Sequence, residues 1–321
     1  MKEAVFVSAF FDIGRGNKNK NTIPRSTEQY FDYFANWCRI QNYLIVFTEP
    51  QFVNKVYEIR QKYHLKDKTK VIGINNIYDI EPEIYERMLQ IENNEFFKNN
   101  RLFSNAMSNK ANYDYVMLLK YWCLKEAKSF FNDTDLFVWM DFGFDHGGKR
   151  FLNHQEYNLL WSPNIPVEKI TLFSLYNPKK VGNLEMLQLQ TDCIMGCFLL
   201  VPSILSDDLW KWMKEAMSAL LMLECIDDDQ MLLLMAAKKY SYYFKIVQSN
   251  WFLPFALYGN GKFTISETKK ITLFTKIKGE LRRIVKREKK VTASNLGKRI
   301  NKRLGMIRKY EEEFENKNKG V

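Results

Sequence analysis

Residues 136–140, LFVWM, form an uninterrupted apolar run that stops at Asp141-Phe142-Gly143. A run this short, with no polar residue to face water, fits a strand buried on both sides, the environment of a central parallel strand. It also predicts where chemistry can occur, because open α/β sheets bind ligands in the crevice beyond the carboxyl ends of their strands. The rest of the chain supplies partners for such a strand. Residues 4–10, 43–48, 70–74, 169–175, 193–201 and 243–248 read as further strands. Helical patterns cover 26–40, with Ser26 or Thr27 as N-cap and Glu28 in the first turn, then 52–63, most of 82–130, 206–224 and 230–239. Strands alternating with helices predict an α/β fold with parallel strands. With 321 residues, 46% of them hydrophobic, the chain has ample material for a large core.

Charge narrows the class of partner. The net charge of +11 suggests nucleic acid until it is located. Of 48 Lys and Arg and 37 Asp and Glu, 14 and two respectively lie within residues 276–309, leaving 34 and 35 elsewhere. The body is therefore nearly neutral, and no nucleic-acid partner is expected. Within 276–309, Ile277, Leu281, Ile284 and Val285, then Leu296, Ile300, Leu304 and Ile307, recur at spacings of three and four. That pattern predicts a basic amphipathic helical tail able to lie on an anionic membrane surface, or else a solvated helix packed on the body. The five cysteines, at 38, 123, 193, 197 and 225, sit mostly in apolar runs and read as reduced thiols of a reducing compartment. With no signal-peptide pattern and no long apolar segment, a cytoplasmic location is expected.

Several groups of residues could carry chemistry. At the end of the apolar strand, Asp141 is placed to hold Mg²⁺ or Mn²⁺ against a diphosphate, since hard cations prefer oxygen ligands; Gly143 leaves room for a ligand, and Asp145 and His146 follow within reach. An Asx-turn ending the strand explains Asp141 equally. Asp227-Asp228-Asp229 opens a helix, where capping accounts for one acid and leaves others free to deprotonate an acceptor hydroxyl. The loop after the first strand carries Arg15 and Arg25, whose forks suit phosphates, but its glycines match neither the dinucleotide nor the P-loop pattern. Glu49 ends the second strand and could meet a ribose or base. Lys120 lies on an otherwise apolar helical face, either snorkelling to solvent or pointing at a phosphate.

VFVSAFFDIGRG, RSTEQYFDYFANW, LIVFTE and VWMDFGF together resemble the HtrL/YibB family, also called the WlaTC/HtrL glycosyltransferase family, over roughly residues 4–255 but not over the tail. The resemblance implies a GT-A-like fold: a Rossmann-type mixed sheet flanked by helices, with a nucleotide-sugar half (about 1–148) joined to an acceptor half (about 149–262). The residue pattern adds the basic tail, taken as 263–321. It implies a nucleotide-sugar donor, a UDP-sugar in particular. The acceptor would be a glycan, free or lipid-linked, of bacterial capsule, lipooligosaccharide or O-antigen synthesis. The enzyme would then sit peripherally on the inner face of the cytoplasmic membrane. Residue by residue, Asp141 takes the place of the metal-binding acid. Gly143 stands where a second aspartate is usual, so Asp145 becomes the candidate second ligand of Mn²⁺ or Mg²⁺. Asp229, with Asp228 as the alternative, matches the base of inverting enzymes. Ser8, Phe10, Arg25 and Glu49 fall where the nucleotide is held, and Lys120 matches a lysine on the helix before the metal strand. A nucleotidyl- or phosphotransferase using the same aspartate, or a non-enzymatic tethered binding protein, are the competing readings.

Overall fold

The computed structural model describes residues 3–16, 24–94, 110–189 and 192–266, all within one unit that runs to Ser266. The predicted basic tail lies outside the described residues. The strands are β1 (Val5–Phe10), β2 (Leu44–Thr48), β3 (Thr69–Gly73), β4 (Leu136–Met140), β5 (Ile170–Ser174), β6 (Phe198–Pro202) and β7 (Phe244–Gln248). They form one continuous sheet in the order β3-β2-β1-β4-β6-β5-β7. The half β3-β2-β1-β4 is parallel throughout, and β5 and β7 are parallel to each other. Between them β6 runs antiparallel to both β4 and β5. The sheet is thus mixed, as the resemblance implies, where strand–helix alternation alone predicts parallel strands.

The alternation of side chains along the strands divides the core in two. In β1, Val5 and Val7 face one side and Phe6 and Phe10 the other; in β4, Phe137 and Trp139 oppose Leu136, Val138 and Met140. The first side is covered by α3 (Pro82–Glu92), α4 (Ala111–Phe130), α5 (Asn183–Leu189), α6 (Ser206–Met222) and α7 (Asp229–Lys239). The second is covered by α1 (Thr27–Trp37) and α2 (Val53–Gln61), by the aromatic-rich chain carrying Phe142, Phe144, Phe151, Tyr157 and Trp161, and by Phe255 of the short helix α8 (Pro254–Leu257). Each such ring, once fully buried, contributes about 1.5–3 kcal/mol. Ser26 is the N-cap of α1: its hydroxyl accepts from Gln29 N, and the Gln29 side chain accepts from Ser26 N, closing a capping box.

Two details position the site. First, β4 is buried at every residue, as its composition predicts, and the chain beyond it is pinned. Phe142 stacks on Phe34 (4.3 Å between centroids, 3° between planes) and on Phe10 (5.1 Å), and Trp37 Nε1 donates to Phe142 O (3.1 Å). Second, β6 is shorter than the predicted strand 193–201. Residues before Phe198 leave the ladder at Gly196, and because β6 is antiparallel to β4, this turn lies beside the carboxyl end of β4, where Asp141 N donates to Cys197 O (3.0 Å). All five cysteines are free thiols. Among the described residues, no helix is long and apolar enough to cross a membrane.

Candidate active site

Beyond the carboxyl ends of β1 and β4 lies a cleft of about 750 Å³. Its buried end is a charge cluster assembled from distant parts of the chain. Lys120, on α4, is only 5% exposed, and its ammonium lies 2.9 Å from Asp141 Oδ1 and 2.7 Å from Asp229 Oδ2, while also donating to Gly196 O (3.2 Å). Trp139 Nε1 donates to the same Asp141 oxygen (2.8 Å). Tyr113, Val116, Met117 and Lys120 line the cleft together because spacings of three and four put them on one face of α4. Gly196 is required by close approach: a Cβ there would stand 2.0 Å from Asp229 Oδ2, so only glycine lets the carboxylate reach the lysine.

The acids that open α7 divide their roles. Asp228 is the N-cap, its Oδ1 accepting from Gln230 N (3.0 Å). Asp229 turns inward to Lys120. Burial raises the pKa of Asp229, with Lys120 opposing the rise and Asp141 adding to it. For Asp228 burial raises the pKa strongly, reinforced by Asp227 and Asp229. Burial alone would lower Lys120, but the charges of Asp141 and Asp229 outweigh it and hold the ammonium above the ordinary lysine range. The cluster is therefore a persistent cation bracketed by two carboxylates, one of which, Asp141, remains 34% exposed to the cleft.

Of the residues singled out in the sequence, Phe10, Arg15, Arg25, Lys120, Asp141, Gly143, Asp228 and Asp229 line the cleft, and so does His146. Three do not. Ser8 is fully buried within β1. Glu49 lies behind the cleft wall, where its Oε1 accepts from Asp12 N (3.0 Å) and so shapes the loop after β1; burial raises its pKa. Asp145 is turned away. The chain enters the left-handed region at Asp145 and His146 (φ 57° and 46°), uncommon for non-glycine residues, and the Asp145 carboxylate accepts from Arg150 N (2.7 Å) and Phe151 N (3.0 Å). It acts as the internal clasp of a turn, with burial raising its pKa to about 6. Sequence reasoning missed Tyr30, Tyr113, Gly196, Trp251 and Phe252 as cleft residues, since their positions follow no motif. It also missed Lys149 and Arg150, for which the Gly-Gly-Lys-Arg run at 147–150 was an available signal.

Among the described residues the donors do not form an all-protein cage for Mn²⁺ or Mg²⁺. Such an ion needs converging oxygen ligands. The point where Asp141 and Asp229 converge is already filled by the Lys120 ammonium, Asp145 is committed to backbone amides, and Asp228 caps a helix. Among the described residues, no group of three or more His, Cys, Asp and Glu side chains is arranged to hold a metal. The expected pairing of Asp141 with Asp145 around a metal is corrected accordingly.

The HtrL_YibB family, described as a bacterial protein of unknown function, matches residues 2–260. Protein HtrL of Escherichia coli (strain K12) is 30% identical over 150 residues, 44% of this chain and 50% of that protein, so the chain spans about half the length of this relative. Among solved structures, mouse xyloside xylosyltransferase 1 in its apo form is similar over 76% of this chain and 84% of its own (TM-score 0.38, 10% identity). A glycosyltransferase involved in glycosylation of the major capsid of PBCV-1 is similar over 76% and 81% (TM-score 0.34, 9% identity). The extent of the family match, from the start of β1 past the last described helix, settles membership: the chain belongs to the HtrL_YibB family.

Proposed function

We propose that this protein is a glycosyltransferase that moves a sugar from a nucleotide-sugar, a UDP-sugar by family resemblance, to a hydroxyl of a saccharide acceptor. One observation carries the reading: Asp141, Lys120 and Asp229 converge within hydrogen-bond distance at the buried end of a large cleft. A base, a fixed cation and room for a large substrate are what displacement at an anomeric carbon requires. Asp229, its pKa raised by burial, takes the proton of the acceptor hydroxyl as that oxygen attacks the anomeric carbon. The bond to the diphosphate breaks and its electron pair leaves with the phosphate oxygen. Lys120 stays charged throughout because Asp141 remains its partner, and its positive charge, fixed at the floor of the cleft, offsets the developing negative charge. Attack from the side opposite the leaving group inverts the anomeric centre.

Aromatic faces fit both ends of such a substrate. Tyr30, Tyr113, Trp139, Trp251 and Phe252 line the cleft, and rings of this kind stack on bases and sugars. The acceptor class implied by the family resemblance is a glycan of capsule, lipooligosaccharide or O-antigen synthesis, and the basic segment 276–309 would keep the enzyme on an anionic membrane carrying it. Loss of co-sedimentation with anionic vesicles on deleting 276–321 tests that part. For the chemistry, Asp229→Asn and Asp141→Asn are the decisive variants. Each is expected to lower turnover of a nucleotide-sugar by about 10²–10⁴-fold while folding normally by circular dichroism. Wild-type turnover in Asp229→Asn would remove the base from the scheme.

A further inference from the structure

Charge in the cleft is sorted by depth. The carboxylates Asp228 and Asp229 are buried beside Lys120. The remaining cations line the more open part: Arg15, Arg25 and Arg150 are half-buried and Lys149 is exposed. Two further acids line it: Asp141, 34% exposed, whose Oδ1 is paired with Lys120 (2.9 Å), and Asp12, whose carboxylate accepts from Gly14 N (2.9 Å) and from the Thr27 hydroxyl. The cations come from two loops, and both are built to hold them. After β1, Arg25 N donates to Arg15 O (3.1 Å), tying the two arginines side by side. After β4, the buried Asp145 clasp fixes the backbone of Arg150, and Lys149 N donates to Asp145 O (3.0 Å). His146, on the second loop, has its pKa lowered to about 4 by burial first and then by Arg25 and Lys149, with Asp141 opposing.

We propose that Arg15, Arg25, Lys149 and Arg150 bind the diphosphate of the donor directly, with Lys120 beneath the leaving oxygen, so that these side chains neutralise it and no divalent cation is held by the protein. This rests on the glycosyl-transfer reading and specifies how its donor is held. Guanidinium forks match phosphate oxygens in a bidentate way, and low-dielectric surroundings strengthen each contact. The same geometry gives Asp145 a positioning role: its carboxylate orients the turn that presents Lys149 and Arg150 and touches no ligand.

Isothermal titration calorimetry of the full chain tests this, with inorganic pyrophosphate and with each common nucleoside diphosphate as probe, in excess EDTA and again with Mn²⁺. The expected result is binding of at least one nucleoside diphosphate in EDTA, within about threefold of its affinity in Mn²⁺. Arg25→Ala and the double variant Lys149→Ala/Arg150→Ala should each weaken it by about tenfold or more, the loss of one charge-assisted hydrogen bond. These side chains are solvent-accessible, so melting temperatures close to wild type will show that the variants are folded. Binding only with Mn²⁺ would overturn the proposal and leave glycosyl transfer standing. Binding in EDTA that ignores both variants would also overturn it. No nucleoside diphosphate binding under either condition would overturn the proposal and the glycosyl-transfer reading together.

Discussion

A lysine at 5% exposure can remain charged only where its partners are fixed, and here the fixing extends to the residue opposite. Gly196 supplies both an acceptor for Lys120 and the empty space into which Asp229 fits. Gly196→Ala should therefore push Asp229 off the lysine and lower turnover by at least about tenfold, equivalent to roughly 1.4 kcal/mol; a kinetic assay with a near-native circular dichroism spectrum would register this. His146 gives a prediction in pH. Its pKa falls from the ordinary 6.5 to about 4, through burial and then through Arg25, Lys149 and Arg15, with Asp141 opposing. Between those values the unfolded chain takes up a proton that the native state refuses, so native stability falls as pH drops through this window. Asn tolerates the left-handed backbone at this position, so His146→Asn isolates the effect. Urea unfolding should show the variant gaining stability relative to wild type as pH falls from about 6.5 to about 4, and a constant difference across that range would contradict the assignment.

At the level of elements, what could be read from sequence was what carries a period or a composition. β4 is an apolar block with a sharp end, and its bounds match the prediction. α1 was marked by Ser26 and Glu28. The strand expected at 193–201 was over-read because Cys193, Ile194 and Met195 are as buried as strand residues, yet the chain turns at Gly196. Asp145 was misplaced for a related reason: after Gly143 the backbone reverses through two left-handed residues, and sequence alone does not reveal which way a carboxylate then faces. The aromatic chain from Phe142 to Trp161 has no regular spacing, so its packing onto α1 was not foreseeable. A clamp on α2 was equally hidden. Arg60 is fully buried and uses its guanidinium to bind Thr69 Oγ1 and the carbonyls of Cys38, Ile40, Asn42 and Lys68. It thereby joins α2 to the entries of β2 and β3. Lysine has neither the planar fork nor enough donors to replace it. Arg60→Lys should cost about 2–4 kcal/mol of stability, as expected when buried carbonyls lose charged partners, measured by urea denaturation; a loss under about 0.5 kcal/mol would show that the clamp is dispensable.

Across the whole molecule, one continuous sheet brings together residues far apart in sequence: the end of β4 presents Asp141, α4 presents Lys120, the turn before β6 makes room, and the start of α7 delivers Asp229. A sequence reader could nominate Asp141, Lys120 and Asp229 separately, but their meeting is a property of topology, set by β6 running against β4. The most direct test of what this arrangement does is product analysis. Incubating the full chain with isotopically labelled nucleotide-sugars and a panel of saccharide acceptors, then separating products by mass spectrometry, distinguishes the possible bond cleavages. Glycosyl transfer should yield free nucleoside diphosphate together with labelled sugar on an acceptor hydroxyl, both lost in Asp229→Asn. Release of nucleoside monophosphate with a sugar phosphate, or label transfer that persists in that variant, would contradict it.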